Sequence, residues 1–163
     1  MNNQDFSTAF ITGQTPAEVF DAICNVRGWW SEAIEGPTEK EGDCFLYHFK
    51  EVHISRIRLE QVVPGERIVW HVLDNHFNFI DDQEEWKDTR IIFEISPVET
   101  GTELRFTHQG LTPQYECYEI CNDAWTNYIR KSLYDLVRTG KGQPNPPEGG
   151  FNSALLDKWK IPG

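Results

Sequence analysis

Between Gly101 and Tyr128 the chain passes from strict alternation to a helical period within a few residues. Leu104, Phe106 and His108 fall on one side of a strand and Glu103, Arg105 and Thr107 on the other, because successive strand side chains point to opposite faces. Thr112 and Pro113 follow as N-cap and first helical residue: the hydroxyl accepts a backbone N–H that lacks a helical partner, and proline has no N–H to leave unsatisfied. Cys117, Cys121, Trp125, Ile129, Leu133 and Leu136 then recur at intervals of three or four, which predicts a long helix over about Pro113–Thr139 with one apolar stripe. Such a stripe needs a sheet to cover it, and the sheet that holds His108 supplies one.

Upstream, Phe6–Ile11 alternates as a strand. Thr15, Pro16 and Glu18 combine a capping box with proline at the first helical position, so a short helix carrying Val19, Phe20 and Ile23 starts there and breaks near Asn25–Gly28, ahead of Trp29 and Trp30. From Phe45 the chain is rich in β-branched and aromatic residues, predicting strands over Phe45–Phe49, Val52–Val63, Ile68–Leu73, Thr89–Ile95 and Glu103–His108. Pro64-Gly65 and Thr100-Gly101 are the turns between neighbours. The apolar phase slips between Ile54 and Ile57, as a bulge requires, and a bulge curves a sheet. The connection from Asp74 to Asp88 is long for a hairpin and mixes acids with Phe77, Phe79, Ile80 and Trp86. Its Asp81, Asp82, Glu84 and Glu85 lack the spacing and glycine of a calcium loop and read as solvated.

The chain has 163 residues and a formal charge of −11, enough length for one buried core and the wrong sign for phosphate backbones. Nucleic acid is therefore not an expected partner, and without a long apolar run or a basic leader neither membrane insertion nor export is expected. A cytoplasmic protein with four free thiols is the expectation. One domain is read over residues 1–140, with a Pro- and Gly-rich tail over 141–163 whose Phe151–Trp159 stretch is able to dock back.

The pattern of a strand, a broken helical segment, a meander of strands and one long helix resembles the helix-grip fold. It is similar to the activator of heat-shock-protein ATPase homologue (AHSA-like) branch of the START-related SRPBCC superfamily. Pro16-Ala17-Glu18-Val19-Phe20, Trp29-Trp30, Val63 through Trp70, Gly101 through Leu104 and Thr107 through Leu111 carry the resemblance, with Trp125 and Leu133 on the last helix. It implies an α+β domain whose curved antiparallel sheet wraps around the long C-terminal helix, with two short helices after the first strand. It also implies an internal cavity of the kind that the superfamily uses for apolar ligands.

On that basis Trp30, Phe45, Trp70, Phe106, His108, Trp125, Tyr128 and Ile129 are the expected cavity-lining residues, taking a small apolar or amphipathic molecule without catalysis. An imidazole at the cavity edge can bond a ligand or move a proton, so a weak hydrolase or cyclase using His108 is a third reading. The second is a co-chaperone or protein-interaction module with a chaperone partner. Cys117 and Cys121 with His108 invite a soft-metal site, but a C-x3-C pair inside a helical stripe reads as two small buried hydrophobes. No metal and no cofactor are expected.

Overall fold

In the computed structural model the described residues are 5–32, 34–49, 53–77, 86–111 and 118–144. Strand β1 (Phe6–Thr12) leads into helix α1 (Pro16–Cys24) and the single turn α2 (Val26–Trp29). The capping box starts α1 as expected. Thr15 Oγ1 accepts from the Glu18 N–H at 3.1 Å and Glu18 Oε1 accepts from the Thr15 N–H at 3.0 Å.

Strands β2 (Cys44–Phe49), β3 (His53–Val63), β4 (Arg67–Phe77), β5 (Arg90–Val98) and β6 (Gly101–Gln109) follow. With β1 they make one six-stranded sheet in the order β1-β6-β5-β4-β3-β2, antiparallel at every pairing. Leu104, Phe106 and His108 do share the buried face of β6, and Phe106 lies opposite Phe93 on β5. The β3–β4 register slips twice, between Arg56 and Ile57 and between Leu59 and Gln61. The second slip offers Glu60 to Arg90 on the outer face, where a two-pronged contact at 2.9–3.2 Å holds the Glu60 carboxyl below its usual pKa.

The long helix crosses the concave face as α3 (Tyr118–Asn127), a π-helical segment (Tyr128–Leu133) and α4 (Tyr134–Thr139). This is the α+β helix-grip layout, with two short helices after the first strand. Cys121, Trp125, Ile129 and Leu133 are buried as the stripe predicts, but the next buried apolar position is Val137, with Leu136 only half-buried. Gly140, at φ 83°, ends the helix in the left-handed conformation and donates its N–H to Leu136 O at 2.9 Å.

The end of β4 differs most from the sequence reading. β4 runs on to Phe77 rather than stopping at Leu73, because Asp74 and Asn75 continue the ladder opposite Arg56 and Ser55, and the Asn75 amide donates to Ser55 Oγ at 3.0 Å. A polar residue with a buried partner extends a strand as well as an apolar one does. The segment after the helix begins by folding back. The Gln143 N–H donates to Ser132 Oγ at 2.8 Å, and Ser132 Oγ donates to Trp29 O at 2.7 Å, which ties α2, the helix and residue 143 at one buried hydroxyl. The Thr112–Pro113 cap, Cys117, Phe79, the acids at 81–85 and the tail from residue 145 lie outside the described residues.

An aromatic interior around Trp30 and His108

Every one of the eight expected lining residues is buried, from 0% exposed at Phe106, His108 and Ile129 to 4% at Tyr128. The local cause is simple. Strand alternation turns Phe45, Trp70 and Phe106 to the concave face, the end of α2 brings Trp29 and Trp30 against it, and the helical stripe lowers Trp125, Tyr128 and Ile129 from above. Trp30 sits at the centre. Its ring stacks on Tyr47 at 4.3 Å and on Trp70 at 5.8 Å, and meets Trp125 at 5.1 Å and Tyr128 at 6.2 Å. Trp29 stacks against Trp70 at 6.2 Å and anchors its indole N–H on Ile23 O. Offset and edge contacts of this kind add roughly 0.5–1.5 kcal/mol each beyond the area they bury.

His108 lies at one end of this layer. The Trp125 indole N–H, which is only a donor, points at His108 Nδ1 from 3.1 Å. Nδ1 must therefore accept, the ring proton sits on Nε2, and Nε2 donates to Thr89 Oγ1 at 2.8 Å. Thr89 Oγ1 in turn donates to Trp86 O at 2.5 Å. Desolvation pushes the His108 pKa down to about 3, so the ring is neutral at pH 7. Both ring nitrogens are engaged by the protein, which leaves no imidazole lone pair free to take a proton from a ligand. The partners of His108 are a hydroxyl and an indole, 19 and 17 residues away.

Three residues outside the eight expected ones adjoin them. Asn75 Oδ1 accepts from the Trp86 N–H at 3.0 Å, and the Trp86 ring stacks on Trp125 at 5.5 Å and 12° while meeting His108 edge-on at 4.7 Å. Thr89 is the third. An indole inside an acidic connection was the visible signal for Trp86; nothing in the sequence marks Asn75 or Thr89. Cys24 offers no nucleophile, since burial first, and then Glu39 and Asp21, raise its thiol to about 12. Cys24, Cys44 and Cys121 are free thiols. Among the described residues no His, Cys, Asp and Glu cluster is arranged to hold a metal ion, and no helix is long and apolar enough to cross a membrane.

The family model for "Activator of Hsp90 ATPase homolog 1-like protein" matches residues 14–138. The chain belongs to that AHSA1-like family. Solved structures share the fold at low identity. The Aha1 dimer from Colwellia psychrerythraea is 21% identical with a TM-score of 0.69, covering 85% of this chain and 99% of its own. Protein MLL2253 from Mesorhizobium loti is 18% identical at TM-score 0.65, over 83% of this chain and 98% of that one. DynU16, of the dynemicin biosynthetic locus, is 15% identical at 0.63, over 83% of this chain but only 48% of that one. No curated protein matches. In this AHSA1-like chain the matched span runs from just before the capping box to the last turn of the helix, so it contains all eight expected lining residues and Trp86.

Proposed function

We propose that this AHSA1-like domain binds a small apolar or amphipathic molecule between its long helix and the concave sheet face, beside the Trp30 stack, without catalysing a reaction. The observation that carries this reading is the π-helical segment Tyr128–Leu133. A π segment is rare within α-helices and is frequently found at functional sites. Here it begins at the residue whose ring faces Trp30 and continues through the buried Ile129. Native mass spectrometry of protein purified from its own host should find a co-purifying small molecule. Titration of the emptied protein with an apolar fluorescent probe should quench tryptophan emission under native conditions. Probe binding that appears only after mild denaturation, with nothing co-purified, would end the proposal.

A second reading, a co-chaperone or protein-interaction module, is favoured by the matched family's own description and by the charge of −11, which suits a basic partner surface. Stimulation of the ATPase of an Hsp90-type chaperone from the same host would select it. The use of His108 as a catalytic base is not carried forward, because both its nitrogens are already bonded.

A further inference from the structure

Like Trp30, the C-cap of α2, Trp86 has its backbone in a turn rather than in a helix or strand. Trp29 belongs to α2, Trp70 to β4 and Trp125 to the long helix, whereas Trp86 stands in the turn just before β5. Its backbone is fixed independently of its ring: the N–H is held by Asn75 Oδ1, and the carbonyl accepts from the Thr89 N–H and Thr89 Oγ1. Two residues on, Asp88 holds φ 66°, a left-handed conformation that only a few residue types tolerate, and its carboxylate meets His71 Nε2 at 3.2 Å. The turn is therefore pinned from both sides. The indole is 4% exposed, lying flat on Trp125 and edge-on to His108. Rotation about its side-chain bonds would vacate that slot without breaking any of these backbone bonds.

We propose that the slot filled by the Trp86 indole is the ligand subsite of this domain, and that its ligand is a neutral, planar, two-ring aromatic molecule that replaces the indole against Trp125 and His108. This rests on the ligand-binding reading above and names its chemical class. A stacked indole shows that the walls accept a flat fused ring, since such pairs favour parallel offset or edge contacts. His108 contributes an edge and no charge, and a chain of charge −11 disfavours an anionic ligand. The side chain competes with the ligand for one place, so the apparent affinity is the intrinsic one multiplied by the fraction of molecules with the slot open.

The full chain labelled with 5-fluorotryptophan gives the test, with Trp29→Phe, Trp70→Phe and Trp86→Phe used only to assign the three fluorine signals. Indole and decanol serve as probes. Saturable indole binding that moves the Trp86 signal and leaves those of Trp29 and Trp70 nearly in place is expected. Trp86→Ala should bind indole about tenfold more tightly than the wild type, because the competitor is gone. Indole saturation with the Trp86 signal unmoved, or equal affinity in Trp86→Ala, would overturn the proposal. Decanol binding without indole binding would overturn the aromatic subsite and leave ligand binding intact. Failure of both probes would remove the two together.

Discussion

His108→Gln should alter the acid dependence of folding. The buried ring has a pKa of about 3 against an ordinary 6.5, so between those values the unfolded chain takes up a proton that the folded chain refuses. Stability from this residue is complete above about pH 6.5 and falls by roughly 1.4 kcal/mol for each pH unit below it, until the folded ring itself titrates near 3. Glutamine does not titrate and loses this slope. At pH 7 the substitution should cost roughly 1–3 kcal/mol, because the buried Trp125 N–H or Thr89 hydroxyl loses a well-placed partner. Wild type gives up about 2 kcal/mol by about pH 5, so the two stabilities should meet near there and cross below it. Urea titrations of both chains from neutral to mildly acid pH measure the difference, in which carboxylate titrations common to both cancel. A difference that stays constant with pH would refute the argument, since it would mean that His108 is protonated alike in both states.

Leu133→Ala, at a fully buried position of the stripe, should cost ~2–5 kcal/mol in urea titration, and a loss under about 0.5 kcal/mol would place the stripe in solvent. Gly142→Ala should lower stability by roughly 1–3 kcal/mol, because its Cβ would lie 2.5 Å from Gly28 O and 2.8 Å from Ser132 O, whereas Gly13→Ala, with nothing within 4 Å, should stay within about 0.5 kcal/mol. Equal melting temperatures for the two alanine variants would show that the segment after the helix does not pack there.

The alternating and helical periods carried most of the fold, because β6 and the stripe of the long helix each bury one face and so write their geometry into residue type. The capping box at Thr15 was equally visible, being a local exchange within four residues. What escaped was set by partners distant in the chain. Asn75 is a strand residue only because Ser55 lies across from it, 20 residues away. The π segment escaped as well, since Tyr128–Leu133 has no composition that distinguishes it from an α-helix; it shows only as Val137 buried more deeply than Leu136. The burial of the aromatic residues expected to line the site was legible by type and placement, and the bonding of His108 was not, because Thr89 and Trp125 become its neighbours only when sheet and helix close.

The run of hydrogen bonds from Trp125 through His108 and Thr89 to Trp86 O also has a direction. An imidazole and a hydroxyl can each exchange donor for acceptor, so a chain made of them alone would have two arrangements and could pass a proton by switching between them. The indole at one end can only donate and the carbonyl at the other can only accept. One arrangement survives. Relay would require the Trp125 ring nitrogen to accept a proton, which it does not do, so this aromatic interior insulates against proton flow even though a histidine lies within it.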